Sequence, residues 1–199
     1  MDKKHNRFCF ALFAIAIMIA SALLAGCAEK TDGGEKKMEV AVIETSLGNI
    51  EVELNRSAAP VTVENFVTYV NEGFYDGTIF HRVIPSFMIQ GGGFTPDGAE
   101  KDTHDPIKLE SSNGLKNTVG AIAMARTMVP DSATSQFFIN TKDNAFLDYT
   151  PQSPGYAVFG KVVSGLEVVK KIEAVQTGNH GPYQDWPVSD VVIKKVYMK

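Results

Sequence analysis

Between Phe80 and Gly92 the sequence reads FHRVIPSFMIQGG, in which one guanidinium, Arg82, and one amide, Gln90, stand among Phe80, Val83, Ile84, Phe87 and Met88. A guanidinium is almost never fully buried without a partner. Arg82 therefore either pairs with a carboxylate or faces a cleft. Strand alternation sends Arg82 and His81 to opposite faces, and a strand-to-turn transition after them brings Phe87, Met88 and Gln90 to one rim. The result is an apolar pocket edged with hydrogen-bond donors. Elsewhere the chemistry is thin. There is no Ser-His-Asp or Cys-His order and no glycine-rich phosphate loop, and His81, His104 and His180 lack metal-ligand spacing. His81 reads as a structural histidine, and no metal or other cofactor is implied.

The elements that must position these residues are mostly strands. VAVIET and IEVEL flank SLGN and read as an opening hairpin. In APVTVENFVTYVNEGF, Pro60 suits a first helical turn, Val63, Phe66, Val67 and Val70 fall at i, i+3, i+4 and i+7, and Gly73 can end the helix. Short apolar segments follow, TIFHRVI, FMIQGG, GAIAMA, SQFFIN, AVFGKVV and VVIKKVYM, separated by turn residues. Many short strands predict an all-β barrel or sandwich. A second helix is expected at SGLEVVKKIEAV, where Leu166, Val169 and Ile172 recur every third residue. Two helices can plug the two ends of a closed barrel.

With 199 residues, 44% hydrophobic and 21% charged, the chain supports one sizeable core. Its net charge of -4 and scattered basic residues exclude a nucleic-acid footprint. The first thirty residues are of another kind. Lys3, Lys4, His5 and Arg7 precede the apolar run from Phe8 to Ala25, which ends in LLAGC. This reads as an export signal over residues 1–26 whose last residues resemble a lipoprotein lipobox, with Cys27 the lipidated anchor. The alternative is an uncleaved membrane span. Cleavage before Cys27 removes Lys3, Lys4, Arg7 and Asp2 and leaves 16 basic and 22 acidic residues, a net charge of -6. It also removes Cys9, so no second thiol remains to pair with Cys27. Residues 27–37, polar and glycine-containing, form a flexible tether, and a folded domain spans 38–199. The expected location is the cell envelope or exterior, on a membrane through the lipid.

The motifs FHRVIPSFMIQGGGF, GAIAMAR, SATSQFFIN and AVFGKVVSGLEVV, in this order and spacing, resemble those of the cyclophilins, the peptidyl-prolyl cis-trans isomerases, and of their bacterial members above all. The resemblance runs from about Met38 to Lys199. It implies an eight-stranded antiparallel closed barrel capped by two α-helices, acting as a monomer on proline-containing segments of folding proteins. It implies Arg82 as the catalytic arginine, with Gln90 beside it, and Phe87, Met88, Phe138 and Leu147 as the socket for a proline ring. Ala125 and Arg126 then contact the residue before proline, and Gln136 lines the adjoining groove. Phe146 and Tyr156 stand where many eukaryotic members carry tryptophan and histidine. The aromatic wall is kept while the indole N–H is lost, which implies weak binding of cyclosporin. For Trp186, in QDWPVSD, a structural role is expected. The rival reading is a binding or chaperone module of the same fold that holds proline segments without turning them over.

Overall fold

The computed structural model describes residues 39–199; the signal, the lipobox with Cys27, the tether and Met38 lie outside the described residues. β1 (Glu39–Thr45) and β2 (Gly48–Leu54) form the expected hairpin, with Ala41, Ile43, Ile50 and Val52 fully buried on one face. Its turn is tied by Thr45 Oγ1, which donates to Gly48 O at 2.7 Å and accepts from Leu47 N–H at 3.0 Å. α1 (Pro60–Asn71) starts on its proline and buries Val63, Phe66 and Val70. The Glu110 carboxylate accepts the N–H groups of Val61 and Thr62 at 3.1 and 2.8 Å, placing negative charge at the helix's positive end.

Eight strands follow one antiparallel order, β10-β1-β2-β7-β5-β6-β4-β3. They include β3 (Arg82–Ile84), β4 (Met88–Gly91), β5 (Ala121–Met124), β6 (Phe137–Asn140), β7 (Val158–Ser164) and β10 (Ile193–Met198). The expected apolar segments thus supply the strands, most of them shortened, while AVFGKVV is shifted by one residue so that β7 ends at Ser164. The expected barrel is closed. In the structure no ladder joins β3 to β10; the residues just before each meet in one bridge, Ile79 with Val192. Around it Phe80 N–H donates to Val191 O at 3.0 Å and Ile193 N–H to Thr78 O at 2.7 Å. β1 is paired on both flanks, by β2 and β10.

α2 (Leu166–Glu173) buries Val168, Val169 and Ile172, while Leu166 is exposed. The expected stripe at every third residue is corrected by one position, because a 3.6-residue turn puts adjacent 168 and 169 on the same face as 172. A second sheet, β8 (Thr177–His180) with β9 (Tyr183–Pro187), is absent from the expected strands because its residues are mostly polar. Trp186 anchors it, 4% exposed, stacked on His180 at 4.5 Å and packed with Ile79 and Phe94. Among the described residues no helix is long and apolar enough to cross a membrane.

Every residue of β5 and β6 is buried, because both faces of this part of the sheet are covered. Ile122, Met124, Phe137 and Ile139 join the main core, where the rings of Phe66, Tyr75, Phe137 and Phe159 pack together. Ala121, Ala123 and Phe138 point the other way, into a smaller cluster with Met88, Leu147 and Val158. The site lies on that second face.

Candidate active site

Residues directly opposite in antiparallel strands share a face. Arg82 is opposite Gln90, Gln90 opposite Phe138, and Phe138 opposite Ala123, so the four form one row across β3, β4, β6 and β5. Met88, two residues from Gln90, lies on the same face. This explains a guanidinium inside an apolar run. Val83 and Ile89 turn to the main core, and Arg82 turns to the other side at the end of the sheet order, where its side chain is 41% exposed. The β3–β4 turn aims Phe87. Pro85 leads it, Ser86 takes a left-handed conformation (φ 57°), and Ser86 N–H donates to the Glu173 carboxylate of α2 at 2.7 Å.

A cavity of about 140 Å³ opens on this row. Phe87, Met88, Phe138 and Leu147 form its apolar walls, Arg82 and Gln90 one polar edge, and Ala125, Arg126 and Tyr156 the other. Nine of the expected site residues therefore line one space. Gln136 and Phe146 are not among them. Gln136 lies behind Gln90, accepting its amide N–H at 2.9 Å, and donates onward to Glu100 at 3.1 Å. Phe146 is 70% exposed and stacks on Phe87 at 5.6 Å, which places it on the rim.

The arginines differ in what they face. Arg126 donates from Nε and Nη2 to Gly155 O at 3.0 and 2.7 Å and from Nη1 to Thr127 O at 2.8 Å, with its guanidinium 4.5 Å over the Tyr156 ring. Its donors brace the wall, and the Ala125 N–H is likewise given to Gln136 O at 2.9 Å. Among the described residues Arg82 has one long ion pair, Nε to Asp185 Oδ2 at 3.9 Å, between groups that are both 41% exposed. Such a pair contributes at most about 1 kcal/mol. The guanidinium thus has both a carboxylate beside it and a cleft before it.

The walls are held from behind by three buried asparagines that the sequence reading did not single out. Asn144 Nδ2 donates to Phe87 O at 2.9 Å and to Asn140 Oδ1 at 2.7 Å. Asn140 Nδ2 donates to Ala121 O at 3.1 Å and to Asn117 Oδ1 at 3.2 Å, and Asn117 Nδ2 reaches Leu147 O at 3.1 Å. The visible signal was slight: an asparagine closing the apolar run FFIN. His81 is 5% exposed between Phe94 and Trp186, at 4.6 and 5.9 Å. Burial, aided by the Arg82 charge, lowers its pKa from 6.5 to about 4, so the ring is neutral at physiological pH.

A family model described as cyclophilin type peptidyl-prolyl cis-trans isomerase/CLD matches residues 40–198, most of the chain. The chain belongs to the cyclophilin family. The sequence of this cyclophilin is 61% identical over 153 residues to peptidyl-prolyl cis-trans isomerase A of Dickeya dadantii (strain 3937), covering 77% of this chain and 80% of that one. It is 54% identical over 155 residues to peptidyl-prolyl cis-trans isomerase B of Escherichia coli (strain K12), covering 76% and 94%. A crystal structure of a Cryptosporidium parvum cyclophilin type peptidyl-prolyl cis-trans isomerase superposes with a TM-score of 0.68 at 26% identity, over 81% of this chain and 98% of that one. The enzyme class is that of a peptidyl-prolyl cis-trans isomerase.

Proposed function

We propose that this cyclophilin isomerises Xaa-Pro bonds at the cavity fronted by Arg82, acting on exported or envelope proteins as they fold. The observation that carries the reading is Arg82 itself, a guanidinium with unspent donors at the mouth of an apolar socket. Rotation about a peptide bond has a barrier of about 18–20 kcal/mol because the nitrogen lone pair is shared with the carbonyl. Twisting the bond returns that lone pair to nitrogen. A donor placed against the prolyl nitrogen then binds the twisted amide more tightly than the planar one, which is what lowers a barrier. Phe87, Met88, Phe138 and Leu147 hold the ring while the acyl side turns. The Gln90 amide shares the Arg82 rim, and Ala125, Arg126 and Tyr156 form the wall along which the preceding residue lies.

Export is supported by the charged start, the apolar run and LLAGC, and the tether gives the domain reach from a lipid on Cys27. A monomer suffices, since every group invoked belongs to one chain.

The test is NMR exchange of a prolyl peptide with the protein and its Arg82→Ala variant. Exchange should fall about 100-fold or more, the scale of removing one transition-state donor, with little change in melting temperature because Arg82 is half exposed. Binding of the peptide by both proteins with no catalysed exchange in either would establish the binding-module reading instead.

A further inference from the structure

A second cavity, of about 440 Å³, adjoins the first and shares Arg82 and Gln90 with it. The Gln90–Gln136 hydrogen bond lies between the two, and the far side is built by the β8–β9 sheet through Tyr183 and Asp185. We propose that this cavity is a second subsite, which takes a cationic side chain, lysine or arginine, from the peptide whose proline occupies the first; this rests on the isomerase reading above.

Charge is the first argument. Two carboxylates, Glu100 and Asp185, line the cavity, and its one cationic lining group is Arg82, already faced by Asp185 at 3.9 Å. Lys101, next to Glu100 in the chain, is turned away: its ammonium donates to Phe74 O and sits 4.5 Å over the Phe74 ring. His81 also lines the cavity and stays uncharged down to about pH 4, so it does not repel a cation. The second argument is an unanswered polar group. His81 is 5% exposed, and its buried Nδ1 has no hydrogen-bond partner among the described residues. A buried polar atom left unpaired is costly, and a ligand donor reaching the ring through this space would offset that cost. The third is shape. Phe94 and Tyr183 pack edge to face at 5.2 Å and give the cavity aromatic surface, suited to the methylene stem of a long cationic residue whose head reaches the carboxylates.

The experiment measures kcat/KM by NMR exchange on peptides with one Xaa-Pro bond, carrying lysine, glutamine or glutamate in turn at each of three positions on either side. At one position lysine should exceed glutamate by about fivefold or more in low salt, as one partly exposed ion pair allows. That ratio should fall by at least half in Glu100→Gln and in 0.5 M salt, which screens exposed pairs. Occupancy should also change the emission of Trp186, the sole tryptophan, whose ring lies 5.7 Å from that of Tyr183. Turnover of all peptides with lysine and glutamate within twofold at every position would overturn the subsite alone. So would a lysine preference undiminished in Glu100→Gln. Failure of every peptide to turn over would overturn the isomerase reading, and the subsite with it.

Discussion

Replacing Asn140 with alanine tests whether the buried asparagines are what gives the proline socket its shape. Asn140 is fully buried, and its amide makes three hydrogen bonds: donations to Ala121 O and Asn117 Oδ1, and acceptance from Asn144 Nδ2. Each bond contributes about 1 kcal/mol net, and groups left unpaired add about 1–3 kcal/mol more unless water enters the vacated space. The expected loss is therefore about 3–5 kcal/mol, or about 10 °C in melting temperature for a domain of this size. Activity should change in KM more than in kcat. Asn144 keeps Phe87 O and Asn117 keeps Leu147 O, so the walls remain but lose their cross-tie, while Arg82 is untouched. Asn140→Asp should be worse at neutral pH, since it sets a carboxylate oxygen against two acceptors. Burial raises the folded-state pKa of that carboxyl, the folded protein then binds the extra proton, and stability should recover as pH falls. Urea unfolding and steady-state exchange kinetics measure both quantities. A loss under about 1 kcal/mol with unchanged KM would refute the reasoning, because three buried hydrogen bonds cannot be that cheap to remove.

The neutral His81 predicts an acid dependence. Its folded-state pKa of about 4 lies below the unfolded 6.5, so the unfolded chain binds more protons between these values and stability falls as pH falls through them. About 3 kcal/mol is lost in full below pH 4. His81→Phe should flatten the stability profile over that interval, as read by urea unfolding at a series of pH values, and an unchanged profile would refute the assignment. At the start of the chain, Cys27→Ser should abolish incorporation of labelled fatty acid and release the protein from the membrane fraction; retention would favour an uncleaved span.

Legibility followed the range of the forces involved. The opening hairpin, α1 and the strand segments declare themselves through local periodicity, which reports burial over a few residues. The same periodicity hid the pocket: taken alone, Phe87, Met88, Phe138 and Leu147 read as core residues, and only the family resemblance, carried by the order and spacing of the motifs, gave them a site. What local pattern cannot carry is register. That Arg82 faces Gln90 and Gln90 faces Phe138 depends on pairings set by the whole sheet. The asparagine ties were hidden for the same reason, since Asn144 meets Phe87 across 57 residues of chain. Asp185 and Tyr183 escaped because the β8–β9 sheet is polar along most of its length and is held by Trp186 rather than by alternation. The destination of the Arg126 guanidinium was equally beyond reach, because Gly155 O lies 29 residues away.

The position of β1 has a mechanical consequence. The described domain begins with this strand, and it is hydrogen-bonded to β2 on one side and to β10 on the other. A pull arriving through residue 39 cannot peel a free edge; it must load two ladders together. If the domain is held through that end, an interior strand takes the grip, and a load on the domain is shared by two paired ladders rather than borne by an isolated hairpin.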